Sequence, residues 1–197
     1  MRAKRSTPDR VLDVAENLFA TKGYEATSLN DIADQVGIRT PSLYNHFKNK
    51  EALYHAVLDR LMAQLRPVIA LAPAVQNDLQ GILQWAEKMV ECYFDHPNLA
   101  RLLQHAALAP TPAVRKRVHA LLTPLFELPD DASGMPPILQ PWAVMSFNNV
   151  LVSYITLAPL YHDLIGTDPL GEDARAHHVQ TVLELVGAML SKQTGER

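Results

Sequence analysis

The chain has 197 residues, 48% hydrophobic and 20% charged, a balance that excludes a disordered polypeptide. Leu (28) and Ala (24) together outnumber Val plus Ile (22) by more than two to one, and only 8 residues are Gly, so the fold is read as all-α. Cys92 is the single cysteine, which excludes an internal disulfide framework and a cysteine zinc cage and suits a reducing cytoplasm. The net charge of −3 is uneven: residues 1–66 hold ten Lys/Arg against eight Asp/Glu, and residues 67–197 hold eight against thirteen.

The basic start, Met1 to Arg10, has no apolar stretch behind it and is not read as a signal peptide. Thr7-Pro8-Asp9 predicts a helix start with Thr7 as its hydroxyl cap, followed by Val11, Leu12, Ala15, Leu18 and Phe19 at helical spacing and a stop at Gly23. A second helix starts at Thr27-Ser28, with Asp31 in capping-box position, carries Leu29, Ile32, Ala33 and Val36, and ends at Gly37. Thr40-Pro41 opens a third, with Leu43 and Phe47 inward. Asn49 caps a fourth that runs from Lys50 to about Arg66, with Leu53, Val57 and Leu61 inward. Pro67 and Pro73 are expected to break or kink the chain there, at the domain boundary.

The pattern then lengthens. One helix is predicted from about Asn77 to His96-Pro97, a short one from Asn98 to Leu108, and another from Thr111 to Leu128, bent at Pro124. Residues 129–137 read as a loop; an apolar helix over 138–165 and an amphipathic one over 169–192 follow, about nine helices in all. Ile138 to Leu160 holds Gln140, Pro141, Asn148, Asn149 and Pro159, so it is read as a buried core helix and no membrane span is expected.

Two short helices joined by a turn of about three residues suggest a helix-turn-helix. Ala33 is small where the helices approach, Gly37 suits the positive φ of a sharp turn, and Ile38, Leu43 and Phe47 plug the second helix onto the first. Arg39, Thr40, Ser42, Tyr44, Asn45 and His46 then face outward, rich in hydrogen-bonding groups and free of acids, as a major groove requires. On pattern alone, a solvated surface helix in a plain bundle remains the alternative.

The run from Thr27 to Leu53, preceded by Ala15-x-x-Leu18-Phe19-x-x-x-Gly23-Tyr24, resembles the DNA-binding domain of TetR-family transcriptional regulators, over about residues 8–58. The resemblance implies a helix-turn-helix head over residues 1–50 and a larger ligand-binding and dimerisation domain over 51–197, linked by the fourth helix (about 50–66). By the same resemblance, Thr27 caps the second helix and contacts a phosphate, with a plain cap as the competing reading. Arg39, Thr40, Pro41 and Ser42 stand where base edges are read, Arg39 suiting guanine O6 and N7 and Pro41 a thymine methyl. Tyr44, His46 and Lys50 match phosphate contacts, while Asn45 falls where the family varies. Arg2, Lys4 and Arg5 form either a minor-groove arm or a solvated tail.

A homodimer is implied in which the last two helices of each chain form a four-helix bundle, and the stripe Val179, Val182, Leu183, Val186, Met189 and Leu190 is assigned to that interface. Which side of the 138–165 helix faces the partner is left open by the sequence. Trp85, Met89, Tyr93, Leu103, Phe126, Trp142, Met145 and Asn149 are candidates to line a pocket for an apolar or aromatic effector, with ordinary core as the competing reading. His177 and His178 are adjacent and point about 100° apart on a helix, and no other His has a ligand-spaced partner, so no metal is expected. No nucleophile elbow or phosphate loop is present, Cys92 reads as inert core, and neither catalysis nor a cofactor is expected.

The expectation is a cytoplasmic regulator, by family habit a repressor, that binds a pseudo-palindromic operator in double-stranded DNA as a homodimer and is released by a small hydrophobic ligand. The alternatives are an effector-independent architectural DNA-binding protein, against which the low overall charge counts, and a small-molecule binder with a vestigial head.

Overall fold

The computed structural model describes residues 6–72, 78–108, 112–125 and 141–191. Ten α-helices lie among them: α1 Thr7–Ala26, α2 Leu29–Val36, α3 Thr40–Tyr44, α4 Lys50–Ile69, α5 Leu79–Asp95, α6 Pro97–Ala107, α7 Pro112–Leu122, α8 Pro141–Thr156, α9 Ala158–Ile165 and α10 Glu172–Ser191. Arg2, Lys4, Arg5, Phe126 and the 129–137 segment lie outside the described residues.

Local chemistry explains most of the boundaries. The cap of α1 is Ser6 rather than Thr7: its Oγ accepts from the Asp9 N–H at 3.3 Å and donates to Asp9 Oδ2 at 2.5 Å. Thr7 instead takes the first helical position, beside Pro8. Gly23, at φ 82° and ψ 169°, breaks α1 where the sequence predicts a stop, and one more turn follows before Thr27. Ser28 and Asp31 form a reciprocal capping box on α2, each side chain meeting the other's backbone N–H at 3.1 Å. Asn49 Oδ1 accepts from the Ala52 N–H at 2.7 Å and starts α4.

Three expectations are corrected by backbone detail. The third helix is only five residues long, its last turn closing through the Phe47 N–H to the Leu43 carbonyl at 3.0 Å. The fourth continues past Arg66 to Ile69 with Pro67 inside it. Proline there removes the N–H that would meet the Ala63 carbonyl, but Ala63 and Pro67 lie on the exposed side, where water can satisfy that carbonyl. The single helix expected over 138–165 is two, which meet at 58° around Leu157 because Pro159 cannot continue the ladder.

One contiguous core runs through the molecule, from Val11 and Phe19 in α1 to Val182 and Val186 in α10. Phe19, Ile32, Leu43 and Leu53 are fully buried and hold the first four helices together. Phe19, Tyr24 and Tyr54 pack as an aromatic trio with ring centroids 4.8 to 5.9 Å apart.

Helix α4 leaves this head and enters the larger body, where it packs on α5 and α7, while α6 docks against both α1 and α8. Two polar ties reinforce the junction. Arg60 of α4 donates to Asp13 and Glu16 of α1, and Asn98 of α6 donates to Glu16 Oε1 at 3.2 Å and Asn17 Oδ1 at 2.9 Å. At the far end of α4, Trp85 Nε1 donates to the Val68 carbonyl at 3.0 Å. Cys92 is buried beside α4, its thiol 3.7 Å from the Gln64 carbonyl and pushed up to about 11, chiefly by burial. No single described helix is long and apolar enough to cross a membrane.

Candidate nucleic-acid interface

The site is built on a turn. The left-handed Gly37 (φ 76°, ψ 39°) ends α2, its N–H meeting the Ala33 and Asp34 carbonyls at 2.9 and 3.1 Å, and the Ile38 N–H returns to Ala33 at 3.0 Å. Arg10 of α1 donates to the Val36 carbonyl, which fixes the same turn from the other side. Leu43 is wholly buried under α3. With that side chain inward, Arg39, Pro41, Tyr44, Asn45 and His46 are exposed, and Thr40 and Ser42 are half-buried. Tyr44 is 53% exposed. Residues 35–50 carry Arg39, Lys48 and Lys50 and no acid, so the face is locally positive on a chain that is negative overall.

Lys50 sits 4.3 Å over the Tyr24 ring and donates to the Glu25 carbonyl at 3.2 Å. Its ammonium keeps two further donors for a phosphate. Thr40 Oγ1 donates to Asn30 Oδ1 at 2.8 Å, tying the start of α3 to the start of α2. The Thr40 hydroxyl hydrogen is thereby committed, so outward the residue offers its oxygen lone pairs and a methyl group, while the Asn30 amide offers N–H donors. Asn30 is a position that the sequence pattern does not single out. Its signal was its place two residues after the capping serine, on the first turn of α2.

Thr27 departs from its expected role. It is 1% exposed, and its hydroxyl donates to the Gly23 and Leu18 carbonyls at 2.8 and 3.2 Å, so it closes the end of α1 while Ser28 caps α2. A buried, committed hydroxyl has no reach to a phosphate.

The residues expected to line an effector pocket do not converge. Trp85, Met89, Tyr93 and Leu103 are buried in the body, whereas Trp142 (67% exposed), Met145 (56%) and Asn149 point outward from α8. The reason lies in the α8 stripe: Val144, Phe147, Leu151 and Ile155 take the inner face and turn the opposite side out. In α10, Val182 and Val186 (each 2% exposed) belong to the chain's own core, with Val179, Leu183 and Leu190 packed against it. Of the expected interface stripe only Met189 is substantially exposed, and Leu185 stands beside it on the outer surface.

Residues 11–57 match the family model described as bacterial regulatory proteins, tetR family. Those residues are about a quarter of the chain, and over them it is similar to the tetR family. It is 54% identical over 52 residues to the HTH-type transcriptional repressor ComR of Escherichia coli K12, covering 26% of this chain and 25% of that one. To the HTH-type transcriptional repressor KstR2 of Rhodococcus jostii it is 42% identical over 85 residues, 41% of this chain and 42% of that one. The chain thus spans between a quarter and under half of the length of these relatives. Solved structures align over most of the chain at lower identity. A TetR-family regulator from Bordetella parapertussis aligns over 93% of this chain and 95% of its own, with TM-score 0.63 and 19% identity. FadR of Bacillus subtilis, solved in complex with stearoyl-CoA, aligns over 90% and 96%, with TM-score 0.61 and 18% identity. At these identities the likeness is one of fold.

Proposed function

We propose that this chain is a TetR-family DNA-binding transcriptional regulator in which α3 enters the major groove, and that it acts as a repressor, as ComR and KstR2 are named. The observation that carries the reading is the acid-free outer face of α3, exposed at Arg39, Pro41, Tyr44, Asn45 and His46 and braced from behind by the Gly37 turn and Leu43. Arg39 reads a guanine through its planar fork, and Tyr44, His46 and Lys50 hold phosphates on either side.

The regulator works as a cytoplasmic homodimer. Its interface is the apolar surface presented by α8, α9 and the outer side of α10, where Trp142, Met145, Leu160, Leu164, Ile165 and Leu185 are each more than half exposed. Soluble monomers seldom leave so many large apolar side chains in water. Two-fold symmetry then makes the operator a pseudo-palindrome with half-sites in successive major grooves. A small molecule that favours one head-to-body arrangement releases the operator.

The test is retention of genomic fragments by the purified protein at near-physiological salt, followed by sequencing. Recovery of a few palindromic sites is expected. Arg39→Ala is expected to weaken the recovered site by about 10- to 100-fold and relax the preference at one base pair. Lys50→Gln is expected to weaken all sequences alike and lower the salt slope by about one. Uniform recovery of the genome, or full affinity in both variants, refutes the assignment.

A further inference from the structure

A cleft of about 530 Å³ opens between the head and the body. Sites for drug-sized ligands fall in this range. Its walls are residues 22–26 at the end of α1, Glu51 and Tyr54 at the start of α4, and His105, Leu108 and Val114 at the corner of α6 and α7. The break at Gly23 turns the last stretch of α1 and gives the cleft its upper edge.

Two phenols set its chemistry. Tyr54 is only 3% exposed, and Tyr24 is half-buried against it with ring centroids 4.8 Å apart. Buried tyrosines normally find a partner for the hydroxyl. In the body they do: Tyr93 donates to Asn148 Oδ1 at 3.3 Å and Tyr154 to the Pro169 carbonyl at 3.0 Å. Among the described residues, neither Tyr24 nor Tyr54 has such a bond, and both line the cleft. The lining carries two carboxylates, Glu25 and Glu51, against Lys22. An anionic ligand is therefore disfavoured. Leu108, Val114 and the aromatic rings supply flat apolar walls.

The cleft also touches the nucleic-acid face. The Tyr24 ring that forms its wall is the same ring over which Lys50 lies at 4.3 Å, and the Lys50 ammonium is held by the carbonyl of Glu25, another wall residue. A ligand that presses on Tyr24 moves the seat of a phosphate contact directly.

We propose that this cleft is an effector site for a neutral aromatic molecule bearing a hydrogen-bond acceptor, which takes the Tyr54 hydroxyl, and that occupancy is coupled to DNA binding through Tyr24 and Lys50. The coupling half rests on the DNA-binding reading above; the binding half does not.

The experiment titrates the full chain with 7-amino-4-methylcoumarin, a neutral fluorescent aromatic with a lactone carbonyl, and with coumarin-3-carboxylate as its anionic counterpart. Saturable binding of one neutral probe per chain is expected, with the carboxylate weaker by about tenfold or more. Tyr54→Phe, which removes a hydroxyl with no hydrogen-bond partner among the described residues and leaves the melting temperature unchanged, is expected to weaken the neutral probe by about 3- to 10-fold. Leu108 is 80% exposed at the cleft, so Leu108→Trp folds normally, fills the cavity and abolishes binding. No saturable binding, equal binding of the anionic probe, or equal affinity in wild type and both variants overturns the site.

Repeating the titration with a DNA fragment that the protein retains is expected to shift the probe affinity by about fivefold or more, and less in Lys50→Gln. An unchanged affinity overturns the coupling. Should the protein retain no DNA at all, it is the DNA-binding reading that fails, and the Tyr54 and Leu108 titrations still decide the cleft.

Discussion

Replacing Arg60 with methionine removes the charge that holds α4 against α1. Its guanidinium bridges two acids one turn apart, 2.7 Å from Asp13 and 2.5 Å from Glu16, with side-chain exposures of 29% for Arg60, 34% for Asp13 and 19% for Glu16. Burial alone would lower the Arg60 pKa, but the bonds to Glu16 and Asp13 outweigh it and raise the value, a sign that the pair is favourable as built. Breaking a fully buried ion pair costs about 3–5 kcal/mol, whereas an exposed pair is worth roughly 0–1 kcal/mol. With all three groups a fifth to a third exposed, the loss should fall between these limits, at about 2 kcal/mol. For a chain of this size that lowers Tm by roughly 4–8 °C. The loss arises because Asp13 and Glu16 no longer share the Arg60 guanidinium. The triple variant Arg60→Met, Asp13→Asn, Glu16→Gln should therefore recover most of it. Thermal and urea unfolding measure both. A loss below about 0.5 kcal/mol in Arg60→Met, or a triple variant no more stable than the single one, refutes the reasoning.

Gly37→Ala forces a β-carbon onto a left-handed residue, and since no atom lies within 4 Å of that position the cost is the backbone term alone, about 1–2 kcal/mol by urea unfolding; Gly37→Asn should lose less. Leu164→Asp with Ile165→Asp places two charges on side chains that are 69% and 64% exposed, so monomer stability should change little while sedimentation shows loss of the dimer and weaker operator binding. His178 is buried on Tyr154 with its Nε2 unpartnered, and burial lowers its pKa below that of the unfolded chain. The nearby charges are Arg175 on the same helix and Asp95 at the end of α5, joined to each other at 2.7 Å. The unfolded state therefore binds the extra proton first. Stability should hold above the ordinary histidine range and decline as pH falls through about 6.5. Melting curves from pH 8 to 5 should show a shallower decline in His178→Phe; identical curves would discard the explanation.

The head was legible because each of its boundaries is written in a residue with one strong local preference. Ser28 with Asp31, Gly37 at positive φ and Asn49 before α4 act within one turn of the chain, and the structure places all three as read. The Thr27 hydroxyl was misread because two adjacent hydroxyl residues can each cap, and burial under α1 decides between them. Side-chain direction on α8 and α10 was illegible for a different reason. Both helices carry apolar residues on more than one face, so period alone leaves the inner face undetermined, and it is the packing of α10 on α5 and of α8 on α6 that selects it. The cleft under Tyr24 and Tyr54 joins residues about eighty positions apart in sequence, a juxtaposition that no local pattern announces.

The seclusion of Cys92 has a practical consequence. A thiol that is buried and held at about 11 is almost wholly protonated near neutrality and reacts slowly with maleimides or oxidants. The native chain is thus chemically quiet toward sulfur reagents, and no background thiol needs to be mutated away. A cysteine introduced at exposed Asn45 would be the sole rapid target, so a spin label there would report the distance between the two α3 helices of the proposed dimer. Recorded with and without the coumarin, that distance would reveal how far the heads swing.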